Sequence, residues 1–259
     1  MNILDKIVLD KKAEISAKKS LFGIDFFERS PLFERKTLSL TNSILKKSGI
    51  IAEFKRRSPS RQVINQDSSV LEVAKGYEQA GASGISVLTD TKYFGGALDD
   101  LIQARSAVGI PVLRKEFIVD RYQIFESKAY GADVILLIAA ILSPVQIKDF
   151  SKLAKELNLE VLLEIHDEEE LEKSDLSHVD LVGVNNRNLK TFAVGIETSK
   201  RLANLIPNEK VKVSESGISE TGTVSELKMY GYTGFLMGEN FMKTEFPGKA
   251  AALFIKDLR

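Results

Sequence analysis

The chain has 259 residues and no cysteine, so disulfides, thiolate metal sites and cysteine nucleophiles are excluded, while the length suffices to bury a large core without staples. Its 36 basic residues balance 36 acidic ones, which argues against nucleic acid as a partner, because neutralising phosphates takes surplus Lys and Arg; a local basic pocket for a small anion stays open. The longest apolar run, residues 134–142, is well short of the ~20 residues that a bilayer requires, so no membrane partner is expected.

Residues 1–19 alternate apolar and charged side chains and lack the continuous apolar core of a secretory signal, so a cytoplasmic protein is expected. Residues 1–48 read as helices, with Ile3, Leu4, Ile7, Val8 and Ile15 on one face of the first. They form an N-terminal helical extension, too short for an independent domain, to a single domain spanning residues 1–259. From Gly49 onward short apolar runs alternate with amphipathic stretches. The strand-like runs are 49–54, 84–88, 111–115, 133–138, 160–164, 180–184, 211–215 and 233–238. Helical stretches begin at Ser69, Ala97, Arg121, Ser143 and Asp167, and the last three cover 196–206, 219–232 and 246–258. Ser143 before Pro144 reads as a helix N-cap with proline at the first helical position. Gly81, Gly109, Gly131 and Gly231 are expected to stop helices in the left-handed conformation.

About eight strand–helix units make the repeat count of an α/β (β/α)8 TIM barrel. A doubly wound open sheet is the rival, but it normally carries a Gly-rich dinucleotide fingerprint after its first strand, and none is present. Barrel enzymes place their chemistry at the C-terminal strand ends. Here those ends carry Glu53 and Lys55, Arg114 to Glu116, Glu164, Asn185 to Arg187, and Glu215 to Gly217. Side chains alternate with period two. If Leu113, Leu162 and Val213 point into the barrel, then Lys115, Glu164 and Glu215 crown the same interior, and Glu53 joins Lys55 there. Salt bridges closing the barrel top are the plain reading of any one pair; the coincidence of several ends favours an acid–base site.

Ser216-Gly217 and Gly238-Glu239-Asn240 are small-residue turns in the two units where barrels often hold phosphate. Residues 55–61 form a cation-rich loop, expected to act as a lid touching an anionic substrate. Tyr93 to Gly96 reads as an aromatic wall or a packed loop. His166 and His178 are the only histidines. His166 precedes an acidic run, Asp167 to Glu170, read as helix capping. Neither histidine has a second nearby ligand, so no metal is expected.

The runs IAEFKRRSPS (51–60), SVLTDTKYFGG (86–96), LRKEFIVD (113–120), LLEIHDEEEL (162–171), GVNNRNLKTF (183–192), SESGI (214–218) and FLMGENFM (235–242) closely resemble the indole-3-glycerol phosphate synthase family, in order and over essentially the whole chain. The resemblance implies a carboxy-lyase of tryptophan biosynthesis. It would convert 1-(2-carboxyphenylamino)-1-deoxyribulose 5-phosphate to indole-3-glycerol phosphate, carbon dioxide and water, with no metal or organic cofactor. It implies a phosphorylated small molecule as partner and says nothing of protein partners. It makes Lys115 the general acid, Glu164 the base in dehydration, Lys55 a second lysine, Glu53 a carboxylate near the reacting hydroxyls, and Asn185 a hydrogen-bonding amide. Arg187, Glu215 and Ser216 become further pocket residues, and Ser86, Phe94, Leu136 and Leu189 the wall around the aromatic ring. Ser58, Gly217, Gly238 and the backbone of Glu239 become the phosphate end. Gln62 stands where the family usually has glycine, so a different backbone path is expected there. A related sugar-phosphate isomerase and a non-catalytic phosphosugar-binding barrel are the alternatives, and the joint presence of Glu53, Lys55, Lys115, Glu164 and Asn185 weighs against the latter.

Overall fold

The structure is a computed structural model that describes residues 3–188 and 193–258. Three helices come first, α1 (Ile3–Leu21), α2 (Ile24–Glu28) and α3 (Leu40–Lys46). The repeat follows as β1 (Ile50–Phe54), α4 (Val70–Gln79), β2 (Gly84–Leu88), α5 (Thr91–Phe94), α6 (Leu98–Ala107), β3 (Val112–Lys115), α7 (Tyr122–Ala129), β4 (Val134–Ile138) and α8 (Pro144–Glu156). It continues with β5 (Glu160–Ile165), α9 (Glu168–Glu172), β6 (Leu181–Asn185), α10 (Glu197–Leu202), β7 (Val211–Glu215), α11 (Thr221–Met229), β8 (Gly234–Met237), α12 (Glu239–Met242) and α13 (Pro247–Asp257). The strands pair in parallel, each with the next, and β1 closes on β8. The fold is therefore the closed (β/α)8 barrel that the alternation predicts.

The two-residue period sorts each strand between two cores. Ile51, Leu113, Leu136, Leu162, Leu181, Val213 and Leu236 fill the interior. Ala52, Val112, Ile135, Val161, Val182 and Phe235 face outward against the helices. Such runs are apolar on both faces because a parallel sheet is covered on both. Helix α3 closes the N-terminal end of the barrel. Its Leu40 reaches the start of β2 and its Ile44 the start of β8. Glu160, opening β5, accepts from the backbone N–H groups of Leu40 (2.8 Å) and Thr41 (3.0 Å). Helix α1 instead lies at the opposite mouth, where Ile7 joins the interior core. The extension is thus not an appendage: its first and third helices cover the two ends of the barrel.

Local capping follows the sequence at most ends. Ser143 accepts from the Gln146 N–H and the Gln146 side chain returns the bond to Ser143 N–H, with Pro144 at the start of α8. Gly81, Gly131 and Gly231 adopt positive φ. Gly109 does not: α6 ends at Ala107 and Val108 leaves it in extended conformation, so no left-handed stop is needed. Gln62 also lies outside the left-handed region, so its side chain adds no backbone strain to the loop after β1.

One carboxylate locks three segments to the sheet. Asp133 is fully buried and accepts from Arg35 (2.7 Å), Arg105 (2.6 Å), Leu38 N–H (2.8 Å) and Val112 N–H (2.8 Å). All four acceptor directions of its two oxygens are used, so removing it strands buried donors as well as charge. Asp133→Ala is expected to lower unfolding free energy by about 3–5 kcal/mol, read from the urea midpoint.

Candidate active site

A cleft of about 1050 Å³, measured out to its open rim, occupies the C-terminal mouth of the barrel. Strand ends supply Glu53, Lys55, Lys115, Glu164, Asn185, Arg187 and Glu215 to its lining; loops supply Ser58, Pro59, Ser60 and Ser216, and the start of α12 supplies Glu239. Leu88, Phe94, Phe117, Leu136, Ile138 and Leu236 form an apolar part, over which Ile3, Leu4 and Ile7 of α1 close. The ring of Phe94 packs on that of Phe117 at 5.8 Å between centroids.

Lys115 stands at the centre. Its Nζ contacts Glu215 Oε2 directly and lies 3.2 Å from Glu164 Oε2. Burial alone would depress this ammonium, but Glu215, Glu164 and Glu53 outweigh it and hold Lys115 above the ordinary lysine range. Burial raises the Glu164 carboxyl, yet Lys115, then His166 and the Asn185 amide, bring it below its usual range. Glu53 is likewise lowered despite burial, by Lys55 at 2.8 Å and by Lys115. Glu215 goes the other way. Burial pushes it up to about 7, Lys115 opposes this, and Glu164 adds repulsion. Among the described residues its Oε1 has no hydrogen-bond partner, which is consistent with one ammonium serving two adjoining carboxylates.

The Asn185 amide is oriented by its neighbours. Its Oδ1 accepts from Arg187 N–H and Ser216 Oγ, both at 3.0 Å, which turns Nδ2 toward Glu164 Oε1 at 3.2 Å. Ser216 holds a left-handed backbone (φ 67°), uncommon for a residue with a side chain, and Asn186 Nδ2 fixes its carbonyl at 3.1 Å.

Several expected residues sit elsewhere than on the wall. Ser86 is fully buried and donates to Glu53 Oε2 at 3.2 Å; it reaches the cleft through that carboxylate. Gly217 and Gly238 are not on the lining but adjoin Ser216 and Glu239, which are. A Cβ on Gly238 would lie 2.8 Å from Glu53 Oε1, so the absence of a side chain there lets Glu53 stand upright. Leu189 lies outside the described residues. The cationic loop also differs from expectation. Arg56 pairs with Asp100, Arg57 donates to the carbonyls of Thr91 and Lys92, and Arg61 binds Glu239 at 2.6 Å. These guanidiniums are engaged by protein groups, because helices α5, α6 and α12 present acceptors beside the loop. Lys55 alone of the loop's cations lines the cleft. Among Arg114 to Glu116 only the last two do so; Arg114 points outward to Glu126 at 2.7 Å.

The family model described as indole-3-glycerol phosphate synthase matches residues 4–254. The chain belongs to the indole-3-glycerol phosphate synthase family. It is 44% identical to the protein of that name from Bacteroides thetaiotaomicron, over all of this chain and 99% of the relative. It is 44% identical to that from Desulfotalea psychrophila, over 97% of each. A solved chain from the tryptophan synthase complex of Pyrococcus furiosus shares the fold at 16% identity, with a TM-score of 0.60 over 82% of this chain and 97% of its own length. Indole-3-glycerol phosphate synthases are carboxy-lyases of tryptophan biosynthesis acting on a phosphorylated small molecule.

Three features of this synthase escape the reading by strand ends. Lys11, one turn from both Ile7 and Ile15 on the apolar face of α1, is buried and pairs with Asp90 (3.1 Å) and Glu116 (3.2 Å), so α1 is fastened over the cleft by charge as well as by packing. Its four-residue spacing from Ile7 and Ile15 is local to the helix; its partners come from other units. His166 is more than a neighbour of a helix cap. Asp167 does cap α9, but His166 turns Nε2 to within 3.5 Å of Glu164. Two residues past Glu164 and just beyond the end of β5, it continues that strand's alternation, which is the signal in the sequence. Gly183 lies opposite Glu164 in the register, and a Cβ there would stand 2.4 Å from Glu215 Oε1. The missing side chain makes the space in which Glu215 meets Lys115; a glycine inside a strand is the sequence mark of such close approach. Gly183→Ala is expected to displace Glu215 and lower turnover by about 100-fold with the barrel still folded, checked by steady-state kinetics beside circular dichroism.

Proposed function

We propose that this cleft closes the indole ring of 1-(2-carboxyphenylamino)-1-deoxyribulose 5-phosphate, with Lys115 as general acid and Glu164 as the base of the dehydration. The observation that carries the assignment is a half-buried ammonium held between the carboxylates of Glu164 and Glu215 at the centre of the cleft. The aryl carbon bearing the carboxylate attacks the ketone carbon, and the carbonyl electron pair moves to oxygen, where Lys115 supplies a proton. Carbon dioxide then leaves, its bonding pair neutralising the iminium and restoring the aromatic ring. Finally the hydroxyl departs as water with a second proton from Lys115, recharged since the first step, and Glu164 removes a proton from the methylene carbon beside nitrogen.

Lys115 is engaged by Glu164 and Glu215, so an entering ketone oxygen takes the place of one of them on the ammonium. Glu215 is the partner that gives way at least cost, since its carboxyl is already pushed up to about 7 and accepts a proton readily. Lys55 and Glu53, 2.8 Å apart, supply a second acid beside the sugar hydroxyls, and Asn185 orients Glu164. Phe94 and Leu136, with Leu88 and Phe117 beside them, offer a wall for the anthranilate ring. Arg187 suits its carboxylate. Ser58 and the backbone of Gly217, Gly238 and Glu239 are assigned to the phosphate, with Ser216 between the two ends; Arg61 offsets the negative charge of Glu239 beside it. The reading treats the chain as one catalytic unit working in the cytoplasm, as its kinship with bacterial biosynthetic enzymes supports. Among the described residues no helix is long and apolar enough to cross a membrane.

Incubating the purified chain with the carboxyphenylamino-deoxyribulose phosphate is expected to yield indole fluorescence with stoichiometric carbon dioxide; release of an isomer without carbon dioxide refutes the lyase. Lys115→Ala is expected to lose turnover by at least about 100-fold while its melting profile stays cooperative. Glu164→Gln is expected to lower kcat by a similar order with KM changed far less, and an unchanged kcat removes Glu164 from the chemistry.

A further inference from the structure

The reaction consumes a proton. Two protons go to the former ketone oxygen, which leaves as water, and one returns from the methylene carbon; the aryl carboxylate departs as neutral carbon dioxide. The proton taken by Glu164 can pass back to Lys115, whose Nζ is 3.2 Å away. One more must enter a cluster in which Glu53, Glu164 and Glu215 are buried and Lys115 is half-buried.

A substrate seated in the cleft covers Lys115 and Lys55, which line it; His166 is not on that lining and joins Glu164 to the surface beside it. His166 Nε2 lies 3.5 Å from Glu164 Oε1, and its Nδ1 lies 3.2 Å from Glu170 Oε2, which also accepts from the His166 backbone N–H at 2.7 Å. Glu170 therefore fixes the ring and favours a proton on Nδ1. Nε2 is buried and, among the described residues, makes no hydrogen bond. A neutral ring in this pose turns a lone pair toward the Glu164 carboxylate, which is unfavourable; an imidazolium turns a donor there. The side chain is 12% exposed and Glu170 15%, against 6% for Glu164 and 14% for Lys115, which faces the cleft that substrate fills. The charged groups facing the ring are Glu164 on β5, Glu170 on α9 and, further off, Glu215 on β7. All are acidic. Burial alone would lower the ring, but Glu170 and Glu164 outweigh it, so the imidazolium persists above the ordinary histidine range.

We infer that His166, held by Glu170, is the relay through which the buried site takes up the proton that each turnover consumes, an inference that rests on the lyase reading above. The imidazolium Nε2–H bond breaks as an O–H bond forms on Glu164. The carboxyl then rotates and gives that proton to the Lys115 amine, restoring the ammonium. The neutral ring recovers a proton from water at the mouth. His166 touches no substrate atom in this scheme and is a positioning and relay residue.

The test uses the full chain with His166→Gln, whose amide keeps a donor toward Glu164 but cannot ionise, and with His166→Ala in the presence and absence of imidazole. Wild-type kcat is expected to fall as pH rises through the His166 titration, because the acid form is the donor. His166→Gln is expected to lower kcat roughly tenfold, short of the 100-fold or more of a general acid in contact with substrate, with KM within about twofold and that alkaline limb gone. Imidazole is expected to restore turnover to His166→Ala. A His166→Gln enzyme with wild-type kcat and pH profile overturns the relay, as does a loss of kcat that leaves the profile unchanged and resists imidazole. If His166→Gln does not fold, Glu170→Gln carries the same test, with the alkaline limb moved to lower pH as the expected result and an unmoved limb the contrary one. A wild-type chain that forms no indole at all refutes the lyase reading instead. Independently of turnover, the ring's titration followed by NMR is expected to shift to lower pH in Glu164→Gln, and His178→Gln identifies which of the two histidine signals moves; an unshifted titration shows that the ring does not sense Glu164.

Discussion

A single ammonium shared among buried carboxylates governs this site. Taking Lys115 out of water costs several kcal/mol, and the cost is recovered only if anions stand close around it. Glu164, Glu215 and Glu53 do so, yet three carboxylates cannot all be neutralised by one cation. Lys55 takes charge of Glu53, Asn185 and His166 support Glu164, and Glu215 is left with one oxygen unpartnered and its carboxyl raised toward neutrality. The cluster therefore contains a strong proton holder beside a carboxyl poised to change charge. That pairing is what sequential proton donation to one substrate oxygen calls for.

The barrel exists around this cluster in a literal sense. Closure of eight parallel strands brings residues as far apart in sequence as Glu53 and Glu215 to one rim. Gly183 and Gly238 leave space where Glu215 and Glu53 approach the backbone. Above the rim, α1 contributes Ile3, Leu4 and Ile7 to the cleft and is tied down by Lys11 between Asp90 and Glu116. Excluding water from the apolar part strengthens every charge interaction below it. The extension is thus electrostatically part of the site, even though its apolar side chains carry no chemistry.

The strands were legible because their signal is local. A run such as Val134 to Ile138 is apolar on both faces, and only a sheet covered on both sides uses it. The face of each strand-end residue followed from the same period, which is how Lys115, Glu164 and Glu215 were placed together. Signals that depended on partners were read less well. Arg56, Arg57 and Arg61 look like free cations in sequence, but Asp100, two carbonyls and Glu239 come from other units. Gly109 has the composition of a helix stop without the conformation, since its helix ends two residues earlier. The acidic run Asp167 to Glu170 carries a local capping signal, whereas the approach of His166 to Glu164 depends on how the chain turns just beyond β5.

The amino-acid order alone determined the number of strand–helix units, the inward face of each strand and the family motifs, since these rest on spacing along one segment. Tertiary structure decided which charges meet: that Lys115 bonds Glu215 as well as Glu164, that Ser86 stands behind Glu53, and that α1 rather than the loop arginines closes over the cleft. Coulomb and hydrogen-bond energies fall off within a few ångströms, and distances on that scale between distant segments are set only when the barrel closes.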